Sequence, residues 1–155
     1  MGFRITGLPL ESFRHLFSLD AAGLRAAGVV DLHVDEVHTW PCRITLQDAV
    51  PGERVLLLNH AHQPAASPYA ASGPIVVRRS ASATRTALNE VPEQQRRRLL
   101  SVRAYDARHW IVGGEVAPGT ELTAVIERFF DDPQVAYLHL HNARHGCYAA
   151  RVDRA

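Results

Sequence analysis

The side chains able to do chemistry are concentrated in residues 135–151, VAYLHLHNARHGCYAAR, where histidine, cysteine, tyrosine, asparagine and arginine fall close together. Alternate residues of a strand share a face, so Leu138 and Leu140 are expected to pack inward while Tyr137, His139 and His141 project together from the other side. Imidazole titrates near neutral pH, which makes His139 and His141 candidate acid/base groups. Residues 142–146 read as a turn and 147–152 as a returning strand, a hairpin that carries Arg144 in its turn and Cys147 at its exit.

Three chemistries follow from these residue types. In the first, Arg78 at the end of a strand, Arg103 within one and Arg144 in the hairpin turn join Tyr105, His139, His141 and Asn142 in a pocket for a small anionic molecule. A buried guanidinium needs a partner, and a carboxylate or phosphate satisfies it bidentately. The competing reading supplies that partner internally, from Asp106, Asp153 or Glu115, and leaves an interaction or regulatory module whose polar residues are structural. In the second, Cys147 beside His139 or His141 and near arginines is a nucleophile, since a neighbouring imidazole and cations favour the thiolate. Cys42 alternates with Ile44 and Leu46 and is expected to be an inert core thiol. In the third, His60-Ala61-His62 and His139-Leu140-His141 present imidazoles in pairs to a metal ion, as zinc, copper or iron accepts. No Asp or Glu lies nearby to complete such a set. The Gly-x-Ser-x-Gly elbow, the phosphate-binding loop and the dinucleotide fingerprint are all absent, so no cofactor is specified.

The elements that must position these groups read as α+β. Residues 3–6 form a first strand, and 10–17 a helix with Leu10, Phe13, Leu16 and Phe17 on one side. Asp20 is placed to cap a short helical turn that Gly28 ends in a left-handed conformation. Residues 29–34 and 41–46 read as strands, and Val55 to Leu58 is an apolar run of the kind found in a strand covered on both faces. Residues 59–74, NHAHQPAASPYAASGP, lack periodicity and are expected to form a long loop or lid over the site. Residues 75–78 form a strand, 89–100 a helix whose Arg96, Arg97 and Arg98 make a solvated face, and 101–105 and 110–116 two more strands. Thr120 is expected to cap an amphipathic helix with Leu122, Val125, Ile126, Phe129 and Phe130 at helical spacing, stopped by Asp131-Asp132-Pro133. The expected architecture is one domain over residues 1–155, a largely antiparallel sheet with two or three helices packed on one face.

Composition bounds the function classes. Hydrophobic residues make up 46% and charged residues 21%, an ordinary globular mix that argues against disorder. Formal net charge is +1 and no basic stripe dominates, which disfavours nucleic-acid binding. All seventeen cationic side chains are arginine, as in a GC-rich bacterial genome. No apolar run approaches a membrane span and the N-terminus lacks a basic-then-apolar leader, so a cytoplasmic protein without membrane contact is expected. Two cysteines are too few for a disulfide scaffold.

The segments Pro41-Cys42-Arg43, LLLNHAHQP at 56–64, SPYAASGPIVVR at 67–78, RRLLSVRAYDA at 97–107 and the closing HNARHGCYAARVDR resemble the bacterial family known as domain of unknown function 1203. The resemblance runs over nearly the full length. It implies a bacterial cytoplasmic protein and carries no activity, cofactor or catalytic residue.

Overall fold

The computed structural model describes residues 2–155. Nine strands are formed: β1 (Phe3–Thr6), β2 (Val30–His33), β3 (Arg54–Gln63), β4 (Ala71–Arg78), β5 (Thr86–Leu88), β6 (Leu99–Tyr105), β7 (Ile111–Pro118), β8 (Tyr137–Asn142) and β9 (Tyr148–Arg154). Three α-helices accompany them, α1 (Ala21–Ala26), α2 (Glu93–Arg96) and α3 (Leu122–Phe130), so the content is α+β as expected. The strands form two sheets, one six-stranded in the order β5-β1-β9-β8-β6-β7, the other three-stranded in the order β2-β3-β4, and every pairing within them is antiparallel.

The main core lies between α3 and one face of the large sheet. Register places Val102 and Ala104 opposite Leu140 and Leu138, and these in turn opposite Ala150 and Val152, so all six share that face. Leu122, Val125, Ile126 and Phe130 of α3 close over them. Phe130 is fully buried, whereas Phe129 is only partly so; its ring lies over Gly113 of β7, where a Cβ would come within 3.0 Å of it. No helix covers the other face of β8. There the three-stranded sheet packs instead through the end of β3, so β8 is buried on both sides. A second core on the small sheet gathers Leu10, Phe13, Leu16 and Leu24 against Leu56, Ile75, Val77 and Cys42.

Several expected elements are corrected. Residues 10–17 form two 3₁₀ turns, Leu10–Ser12 and Arg14–Ser18, rather than one α-helix, though Leu10, Phe13 and Leu16 are buried as their spacing implies. Residues 59–74 are not a long loop: β3 runs to Gln63 and β4 starts at Ala71, so only the connection between them is irregular. Pro74 is tolerated because β4 is an edge strand. The connection is tied down through Ser67, whose hydroxyl donates to the His109 carbonyl at 3.1 Å, and through an edge-on contact of Tyr69 with Trp110. The helix expected over 89–100 shrinks to Glu93–Arg96, because the chain from Leu99 is drawn into the sheet between β7 and β8. Residues 41–46 make two isolated bridges rather than a strand, with Leu46 in the left-handed region. Thr120 does not cap α3; the helix is entered from a 3₁₀ turn, Gly119–Glu121. Asp20 does cap α1, accepting from the Gly23 amide at 2.8 Å, and Gly28 ends that segment at φ +71°.

Candidate functional site

Cross-strand register decides which polar groups meet. Arg103 lies opposite His139, which lies opposite Arg151; Tyr105 faces Tyr137; Ser101 faces His141, which pairs with Tyr148 after a register shift. Tyr137, His139 and His141 therefore share the face away from α3, as their alternation predicts. Contact with β3 buries that face: His139 is 3% exposed and His141 1%. His62 of β3 enters the same cluster, its ring 5.0 Å from that of His141, 6.3 Å from that of His139, and stacked on Tyr148 at 5.4 Å. Gln63 donates to the Tyr137 hydroxyl at 2.8 Å, and Tyr105 stacks on Tyr137 at 5.1 Å.

The electrostatics of this cluster are those of desolvated bases among cations. Burial drives the His139 pKa down to about 3, with His141, Arg151, His62 and Arg103 adding repulsion. His141 is held at about 4, again first by burial, and is partly restored by a hydrogen bond from Nδ1 to the Gly146 carbonyl at 2.9 Å. That bond places the Nδ1 proton, so Nε2 of His141 carries a lone pair, and it has no partner among the described residues. Nδ1 of His139 and both ring nitrogens of His62 are likewise buried without partners. Both β8 imidazoles are thus neutral at physiological pH.

Beside this packed cluster opens a cleft of about 740 Å³. Four arginines line it, Arg43, Arg97, Arg98 and Arg144, together with Asn142 and Cys147 from the hairpin and an apolar wall that includes Trp40, Leu57, Ile75 and Val76. No aspartate or glutamate lines it. Arg98 and Arg97 are countered from outside the cleft by Asp48, at 2.9 and 3.8 Å, and Arg97 also by Glu93 at 3.2 Å. Arg144 has no ion pair among the described residues.

Arg43 is the unusual member, at 4% exposure. Its backbone is stitched to two neighbours, its amide donating to the Val76 carbonyl of β4 and its carbonyl accepting from Leu8, so the side chain is directed between the sheets. There Nε donates to the Tyr148 carbonyl at 2.7 Å and Nη1 to the Pro41 carbonyl. Nη2 has no hydrogen-bond partner and no carboxylate pairs with the group among the described residues. Burial lowers its pKa to about 10, which still leaves it a cation at neutral pH.

The expected site residues therefore separate into three places. His139, His141, Tyr105 and Arg103 belong to the buried inter-sheet cluster, where Arg103 has no carboxylate partner among the described residues. Asn142, Arg144 and Cys147 line the cleft. Arg78 joins neither: it pairs with Glu53 at 2.8 Å and lines a separate hollow of about 450 Å³. The carboxylates named as internal partners are engaged elsewhere, Asp106 with Arg108, Asp153 with Arg151 and Glu115 with Arg128. Cys42 is fully buried with the aliphatic side chains, and both cysteines are free.

Of the two His-x-His pairs, His62 joins His139 and His141, and His60 does not. An irregularity in the β3–β4 register after His60 breaks the alternation, so His60 packs on Phe13 while His62 turns to β8. Among the described residues no group of three or more histidine, cysteine or acidic side chains is arranged to hold a metal ion.

Sequence reasoning missed Arg43 because residues 41–46 read as a regular strand, whose alternation puts Arg43 on the face opposite Cys42, Ile44 and Leu46. It also assigned Arg97 and Arg98 to a solvated helix face, whereas the helix ends at Arg96 and both side chains reach the cleft. The available signal was the cation directly after a core cysteine, in a segment that could not be extended throughout.

A family model described as a protein of unknown function (DUF1203) matches residues 39–154, which include every residue named in the cleft and the histidine cluster. No curated protein and no solved structure matches the chain. Among the described residues no helix is long and apolar enough to cross a membrane.

Proposed function

The chain belongs to the DUF1203 family, whose description states no activity, and from the site alone we propose that it recognises a small organic anion in the four-arginine cleft. The observation that carries this reading is Arg43: a guanidinium 4% exposed, at the wall of a cleft, with no carboxylate partner and an uncommitted Nη2. Burying a cation without a counter-charge is costly, and an anionic ligand removes that cost. Asp48 and Glu93 offset Arg98 and Arg97, so Arg43 and Arg144 supply the excess positive charge, which suits a dianion. The apolar wall of Trp40, Leu57, Ile75 and Val76 adds affinity for a carbon skeleton and favours an organic anion over an inorganic one. The cleft volume falls in the range of small-molecule sites, on the order of 300 to 1,000 Å³.

His139 and His141 support the cleft rather than line it. The His141 bond to the Gly146 carbonyl fixes the turn that presents Asn142, Arg144 and Cys147, and Gly146 itself sits at φ +78°, a conformation that costs glycine little. Acid/base chemistry by these imidazoles has no observation in its favour beyond their neutrality, so recognition is the reading adopted.

The test is a thermal-shift and calorimetric screen of phosphate monoesters and dicarboxylates, with Arg144→Ala as the diagnostic variant. Arg144 is at the turn, so its removal should leave stability within about 0.5 kcal/mol. Loss of one charge-assisted contact of about 1.5 to 3 kcal/mol should weaken the bound anion roughly 10- to 100-fold. If no anion raises the melting temperature, or if Arg144→Ala and Arg43→Gln both bind as tightly as the parent, the proposal fails.

A further inference from the structure

Cys147 is the one thiol among the described residues that line the arginine cleft. It is partly exposed, its sulfur has no contact stronger than one of 3.9 Å to the His145 carbonyl, and it follows Gly146 at the point where β9 begins. Cys42, the other thiol, is fully buried and accepts from the Arg78 and Thr45 amides, so it is unavailable. The second observation here is the buried Arg43 guanidinium, which shares the cleft wall with Cys147 and has a free Nη2. Burial lowers the Arg43 pKa, and the guanidinium remains a cation on the same cleft wall as Cys147.

We propose that Cys147 is a covalent acceptor selective for small carboxylates that carry an electrophilic carbon, such as α,β-unsaturated acids. This deepens the anion-recognition reading and rests on it. The physical basis is concentration and orientation. A cleft lined by one sign of charge raises the local concentration of an oppositely charged reagent, by about 10- to 1,000-fold in favourable cases. Arg43 and Arg144 hold the carboxylate while the carbon skeleton lies against Ile75 and Val76, next to the sulfur. In the addition, the thiolate pair forms the S–C bond at the β-carbon and the π pair moves to the α-carbon. Water protonates that carbon, and the hydroxide formed neutralises the proton released when the thiol ionised. No oxidant or further reactant is required.

Iodoacetate and iodoacetamide make the diagnostic pair, because both lose iodide to a thiolate and they differ in charge. Their rates at Cys147, located by peptide mass, are compared with their rates at glutathione at pH 7.5 and low ionic strength. The iodoacetate-to-iodoacetamide ratio at Cys147 should exceed the glutathione ratio by at least about tenfold. It should fall towards the glutathione ratio in 1 M NaCl, where the screening length is about 3 Å, and in Arg144→Ala. Maleate should give a stable adduct at Cys147 and none at Cys42. A ratio equal to that of glutathione, or alkylation of Cys147 only after denaturation, overturns the inference. Should phosphate monoesters or dicarboxylates bind while the ratio stays ordinary, the cleft recognises anions and Cys147 is not an acceptor. If no anion binds and the ratio is ordinary, both readings fall together.

Discussion

Acid should destabilise this protein through its buried histidines, well before its carboxylates are protonated. In the unfolded chain an imidazole takes up a proton near pH 6.5. In the folded protein burial holds His139 at about 3 and His141 at about 4. Because the folded pKa values are depressed, the neutral forms are favoured by folding. Their contribution is fully present above pH 6.5 and is lost as pH falls from there towards the folded values. Between those limits the unfolded state binds up to two more protons than the folded one, so stability should fall by up to about 2.7 kcal/mol per pH unit. Integrated from pH 6.5 to 5 the loss is roughly 3 kcal/mol, a large part of a typical stability of about 5 to 15 kcal/mol. His60 and His62 are also held low by burial and act in the same direction. The ordinary carboxylate range lies below this window, so Glu53 and Asp106, both held low, contribute only at more acid pH. The assay is urea unfolding at half-unit steps from pH 7.5 to 5, for the parent and for His139→Gln and His141→Gln. Each variant should flatten the slope by up to about 1.4 kcal/mol per pH unit, whatever it does to stability at pH 7.5. A parent protein equally stable at pH 6.5 and 5, or variants with an unchanged slope, would refute the claim that these imidazoles are buried and neutral.

Two further outcomes test the packing. Phe130→Ala removes a fully buried ring of α3 and should cost about 3 to 5 kcal/mol in urea unfolding, while Phe129→Ala, whose ring is only partly covered, should cost distinctly less; equal losses would show that the buried face of α3 is misassigned. At Gly119 an added Cβ would lie 1.8 Å from the Gln95 carbonyl oxygen, so Gly119→Ala should destabilise by about 1 to 3 kcal/mol or more through a forced backbone shift, and a neutral result would mean that α2 does not pack where it is described.

The chain's own pattern determined the parts that depend on local periodicity. The alternation through Leu138 and Leu140 specified which face of β8 meets α3, and the spacing of Leu122, Val125, Ile126 and Phe130 specified what meets it. The capping of α1 by Asp20 and the left-handed Gly28 were equally local. These hold because side-chain periodicity and capping are decided within a few residues. The division into two sheets was not legible, because strand pairing between distant segments leaves no short-range mark. For the same reason the histidine cluster was only half visible: His139 and His141 share a strand, but His62 reaches them from another sheet after an irregular register. The cleft was legible at Asn142, Arg144 and Cys147, which one hairpin turn brings together, and misread at Arg78, which finds Glu53 instead. Arg43 depended wholly on tertiary structure. Its backbone bonds to Val76 and Leu8 turn the guanidinium between the sheets, and the charge that chain-local reasoning sends to solvent becomes a buried donor with no carboxylate partner.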